Sequence, residues 1–140
     1  MAVRIGPRLA AFLGEVMPAL IGTKRSDGSV QMNPVWFEYR DGRILLNGGE
    51  NRAWLKHARK DGGRITILFV DPKNMWRYAQ MQGRIVRTTT EGAGDHINKL
   101  SLRYLGRPYQ RPTTDRLLIE IVPERVTGAG GGQPWDVEPA

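Results

Sequence analysis

Apolar and polar positions change period several times along the chain. Between residues 6 and 17, Leu9, Phe12, Leu13, Val16 and Met17 recur at the spacing of one helical face, and Pro18 ends the pattern. Residues 19–24 then alternate as a strand. Ser26-Asp27-Gly28-Ser29 carries an Asp-Gly hairpin signal, and residues 30–39 return as a second strand. Asp41-Gly42 is another tight turn, leading into a third strand over 43–47. The three strands together predict a meander.

After Gly48-Gly49, residues 50–60 read as a helix closed by Asp61-Gly62-Gly63, with glycine supplying the left-handed end. A β-branched strand follows over 64–70, then the turn Asp71-Pro72-Lys73-Asn74 and a long or bent strand over 76–89. Residues 92–105 form a second amphipathic helix with Ile97, Leu100, Ser101 and Tyr104 on one side. A proline-containing loop covers 107–114, and the final strand covers 117–127. The pattern predicts a mainly β protein with short helices, a single barrel domain over 1–127 and a mobile Gly/Pro-rich tail over 128–140, in which Trp135 hints at a docked contact.

Composition narrows the chemistry. The 140 residues contain no cysteine and two histidines, so thiolate sites are excluded and no metal-ligand spacing is present. Gly14 and Glu15 interrupt the short apolar run near Phe12 and no small-residue cleavage site follows it, and no stretch approaches the roughly 18 apolar residues of a membrane span. The expected location is the cytoplasm. A net charge of +7 calls for an anionic partner. Basic and aromatic residues do not interleave along one strand face as base stacking requires, which disfavours nucleic acid.

Three segments could carry chemistry. Arg52, Lys56, Arg59 and Lys60 lie on one stripe of the 50–60 helix, with Arg52 near its N-terminus, where backbone N–H groups favour an anion. The same run also reads as a solvated basic face. Pro34, in Met32-Asn33-Pro34-Val35-Trp36-Phe37, marks an edge, a bulge, or a place where a planar ring lies against the strand. Trp76, Tyr78, Gln80 and Gln82 share one strand face, suited to an interface or equally to any half-buried strand. No nucleophile stands with a base, so no catalytic side chain is assigned.

Taken in order, these segments resemble the pyridoxamine-phosphate-oxidase-like (FMN-binding-like) split β-barrel superfamily, and within it the deazaflavin-dependent group common in actinobacteria. The resemblance rests on Lys24-Arg25-Ser26-Asp27-Gly28-Ser29 followed by Asn33-Pro34-Val35-Trp36-Phe37, on the strand from Ile44 to Asn47 with its basic helix, and on Met75-Trp76-Arg77-Tyr78 through Gln82-Gly83-Arg84-Ile85. Tyr104-Leu105-Gly106-Arg107 and Ile121-Val122-Pro123-Glu124-Arg125-Val126 complete it. It implies a homodimer with a flavin or deazaflavin in a groove between subunits. Arg52 and Lys56 would meet the phosphate, Pro34, Val35 and Trp36 the ring, and Trp76 would reach in from the partner; Asn47 and His57 complete the cofactor-facing set. His57 stands where relatives often carry Asn, a departure from the usual phosphate motif.

The expected activity is oxidoreduction: a deazaflavin coenzyme (F-420) delivers hydride to a small conjugated or quinone-like acceptor, and the protein orients the cofactor and excludes water. FMN in the same site is the alternative cofactor, and cofactor binding without turnover the alternative role.

Overall fold

A computed structural model describes residues 2–140. Its centre is an antiparallel sheet built from β2 (Ala19–Lys24), β3 (Val30–Val35), β4 (Glu38–Arg40), β5 (Arg43–Gly49), β6 (Arg64–Asp71), β7 (Asn74–Thr89) and β8 (Arg116–Gly130). They pair in the order β3-β2-β6-β7-β8-β5-β4. The predicted three-stranded meander is therefore replaced by two hairpins at opposite ends of the sheet. Residues 30–39 are not one strand: β3 pairs with β2, and β4 pairs with β5.

The break has a local cause. Burial alternates through β3, but Phe37 and Glu38 are buried side by side, a slip of phase that a continuous strand cannot accommodate. Only Trp36 and Phe37 separate the two edge strands in the chain, so their adjoining ends, Val35 and Glu38, lie within about 10 Å of each other. The sheet thus curls on itself without a hydrogen-bonded seam, which is a split barrel. Pro34 sits on edge strand β3, where its missing N–H leaves no ladder bond unmade.

The turns follow from their residues. Asp41 and Gly42 both have positive φ, the requirement of a two-residue hairpin whose twist matches its strands. Asp27 accepts from the Ser29 backbone N–H (2.9 Å) and hydroxyl (2.6 Å), fixing the β2–β3 turn.

Three helices cover the barrel. α1 (Pro7–Leu13) buries Leu9, Phe12 and Leu13, and is shorter than the 6–17 periodicity suggests, ending at Gly14 while Met17 stays in the core. α2 (Ala53–Lys60) buries Trp54, Leu55 and Ala58 against the barrel, opposite its basic stripe. α3 (Ala93–Leu105) buries Ala93, His96, Ile97, Leu100 and Ser101. Inside, α1 and Phe37 meet Ile21, Ile44, Leu46, Ile67, Phe69, Met81, Ile119 and Ile121 in one apolar cluster.

The tail departs from expectation. β8 continues past residue 127 to Gly130, β9 (Gln133–Pro134) folds back on it, and β10 (Val137–Pro139) pairs with β1 (Val3–Ile5). Trp135 stacks on Phe12 with ring centroids 4.9 Å apart and donates from Nε1 to the Tyr78 carbonyl (2.7 Å). Asp136 accepts from the backbone N–H groups of Arg8 and Leu9, both at 2.9 Å, so the tail caps α1 from the far end of the chain. Among the described residues no helix is long and apolar enough to cross a membrane.

Candidate functional site

A cleft of about 380 Å³ opens beside the β3–β4 crossing. Asn33, Pro34, Val35 and Trp36 form one wall, Asn47, Gly48, Arg52 and Trp54 the second, and Ile97, Leu100, Tyr109 and Arg116 the third. The volume is that of a small-molecule site. Trp36 is held flat against Tyr104, with ring centroids 5.3 Å apart and planes 10° apart. Tyr104 in turn donates its hydroxyl to the Met17 carbonyl (2.6 Å) and accepts from the Phe37 N–H (3.3 Å). Gly48 leaves its stretch of backbone bare, because a Cβ there would press on the Trp54 ring at 3.2 Å.

Arg52 precedes α2 as its N-cap residue, and no side chain caps that helix end. Its first-turn N–H groups and its dipole therefore favour an anion beside the Arg52 guanidinium. Arg116 lies opposite. Its Nε donates to Asn47 Oδ1 (2.7 Å) and its guanidinium carbon lies 5.5 Å from the centre of the Tyr109 ring. Neither arginine has a carboxylate partner among the described residues, whereas Arg40, Arg43, Arg59, Arg64, Arg77 and Arg84 each do.

Behind Arg116 runs a polar chain. Asn47 Nδ2 donates to the Ala93 carbonyl (2.9 Å) and lies 3.1 Å from His96 Nδ1. His96, 5% exposed, places Nε2 at 3.2 Å from Glu38 without making a hydrogen bond to it; the carboxylate is held by Lys99 (2.6 Å) and Arg40 (2.8 Å). Burial holds His96 below the usual imidazole range, against the pull of Glu38. Burial pushes Glu38 up, but hydrogen bonds from Lys99 and Arg40 outweigh it and leave the carboxylate below its ordinary value.

Of the eight residues expected at the site, five line this cleft: Pro34, Val35, Trp36, Asn47 and Arg52. Asn47 does so with its amide already engaged by protein groups. Lys56, His57 and Trp76 are not brought to it. Lys56 projects into solvent, and His57 is bound through Nε2 to Gln31 Oε1 (3.0 Å). His57 instead joins Lys24, Arg25 and Lys60 around a separate depression of about 140 Å³. Arg59, part of the expected stripe, turns to Glu50 (2.6 Å) and Thr88 (3.1 Å). Trp76 is 77% exposed near the tip of the β6–β7 hairpin. Arg116, Tyr109, His96 and Glu38 carried no sequence signal; only the β5–β8 pairing, which sets Gly49 against Arg116, brings the first of them to the cleft.

No family model matches the chain. No curated protein matches it either. Solved structures do. An F-420 reductase is similar at 23% identity and a TM-score of 0.75, over 84% of this chain and 94% of that one. A pyridoxamine 5'-phosphate oxidase candidate from Listeria innocua is similar at 14% identity and a TM-score of 0.66, over 85% and 93%. An FAD-binding protein from Mesorhizobium loti is similar at 13% identity and a TM-score of 0.62, over 90% and 96%. With the open antiparallel sheet, the edge crossing at Trp36-Phe37 and the flanking cleft, these likenesses give the chain the split β-barrel fold of the pyridoxamine-phosphate-oxidase-like proteins.

Proposed function

We propose that the protein is an oxidoreductase that binds a deazaflavin coenzyme, F-420, in the cleft and passes hydride to a small conjugated or quinone-like acceptor. The observation that carries this reading is the pairing of two carboxylate-free arginines, Arg52 and Arg116, with the apolar wall of Pro34, Val35 and Trp36. That donor set fits a ligand with a planar ring at one end and an anionic tail at the other. The likeness to an F-420 reductase supports the same choice.

When bound, the coenzyme supplies the hydride chemistry. The chain's own residues do the rest. Arg52 and the uncapped end of α2 hold negative charge, Trp36 gives the ring a rigid face, and Ile97 and Leu100 keep water from the cleft wall. Exposed Lys56, with Lys60 and Arg25 beside the Lys24–Asp61 ion pair (3.6 Å), extends the positive field beyond the cleft, towards the charges that a deazaflavin tail carries past its first phosphate.

We further propose that two copies associate through the outer face of β3, β2 and β6, with Trp76 reaching the partner's cleft. Val30 and Met32 are 58% and 62% exposed there, beside Leu20 and Leu68 around a depression of about 550 Å³. Titration of the protein with F-420 and with FMN, followed by fluorescence, tests the cofactor. Tighter binding of F-420 supports the reading, and tighter binding of FMN replaces the cofactor while keeping the site.

A further inference from the structure

We infer that Arg116 is an anion-binding residue of the cleft and that Asn47 and His96 are positioning residues that fix its guanidinium. The inference takes its location from the cofactor-site reading above and its content from hydrogen-bond chemistry.

A guanidinium can only donate. Arg116 Nε faces Asn47 at 2.7 Å, so the amide atom there must be the carbonyl oxygen, and Nδ2 must point the other way. Nδ2 then donates both to the Ala93 carbonyl and to His96 Nδ1. His96 Nδ1 is therefore bare, and the ring proton sits on Nε2, which lies 3.2 Å from the Glu38 carboxylate but outside hydrogen-bond geometry. Glu38 is itself pinned by Lys99 and Arg40. Each link is set by the donor-only character of the first.

The order built behind Arg116 has no counterpart in front of it. Its terminal N–H groups have no acceptor among the described residues, although the side chain is half-buried in the cleft wall against Tyr109. The other half-buried arginines are treated otherwise: Arg77 and Arg84 end on carboxylates and Arg103 on backbone carbonyls. A planar fork held by its Nε with both terminal nitrogens left over suits a bidentate oxyanion, a phosphate or a carboxylate. Arg52 lines the same cleft and adds a second positive charge.

Binding of inorganic pyrophosphate and of triglutamate, measured by calorimetry on the parent, Arg116→Gln and Asn47→Leu, tests the inference. We expect pyrophosphate, triglutamate or both to bind the parent, and each substitution to weaken that binding about tenfold. A loss confined to one probe identifies the anion as phosphate or carboxylate. An Arg116→Gln protein that binds both probes as the parent does, or a parent that binds neither, overturns the assignment. The positioning role has its own readout in the nitrogen NMR of the imidazoles at neutral pH. His96 should carry its proton on Nε2 alone, and a proton on Nδ1 overturns that role even if Asn47→Leu fails to fold. If neither F-420 nor FMN binds while pyrophosphate binding still depends on Arg116, the cofactor reading fails and the anion site stands.

Discussion

His96 lies so deep that its charge state is a property of the fold. Burial holds it neutral, so its folded-state pKa lies below the unfolded value of about 6.5. Between those two values the unfolded chain takes up a proton that the folded one refuses. Stability from this group is therefore complete above about pH 6.5 and is lost as the pH falls towards the folded-state value. Glu38, whose pKa is depressed, adds a loss of the same sign at lower pH, below the ordinary carboxylate range. Denaturant unfolding at pH 7.5 and pH 5.5 should show lower stability at the acid end, and His96→Gln should flatten that difference. An unchanged slope in the variant would place the acid sensitivity elsewhere. The wall around Pro34, Val35 and Trp36 was legible because a proline inside an apolar strand is conspicuous. Arg116 was not, because it reaches Asn47 across 69 positions and one arginine in a basic chain looks like any other.

The α2 helix stands where residues 50–60 predicted one, though it starts only at Ala53. Its basic side divides. Arg52 lines the cleft, Arg59 is spent on Glu50 and Thr88, and Lys56 and Lys60 stay in water. Arg52→Ala should weaken cofactor binding by about 1–3 kcal/mol, the range for a lost charge-assisted contact. Lys56→Ala should cost less, and its effect should vanish in high salt, because an exposed charge acts only through a screened field. Titrations of both variants at low and high ionic strength separate the two. Equal, salt-resistant losses would mean that Lys56 touches the ligand. Both hairpins were read with the right partners, but residues 30–39 were read as one strand and the short strands of the two termini were not read at all. Alternation shows which side of a strand is buried, but not which strand lies beside it, and so β3 and β4 were joined when they are the two edges of the sheet.

For the molecule as a whole, the exposed row of Val30 and Met32 is the face we expect a second copy to cover. Sedimentation should find a dimer at micromolar concentration, and Met32→Glu should shift it towards monomer by placing a charge in an apolar contact. A parent that sediments as a monomer would remove both the dimer and any role for Trp76 in a partner's cleft. The tail bears on the chain by itself. Asp136→Ala removes the acceptor for two N–H groups of α1 and should cost about 1–2 kcal/mol, the upper range for a helix cap, measurable by thermal or denaturant unfolding. The same contact sets an order of events during synthesis. α1 and β1 leave the ribosome well before the cap, the Trp135 stack on Phe12 and the β10 ladder that finish them, because Arg8 and Asp136 lie 128 positions apart. Until then Phe12 and Leu9 have only part of their cover. The nascent chain must wait through the intervening strands with an apolar helix in need of shelter, so a ribosome stalled before residue 135 presents a substrate for chaperones and proteases.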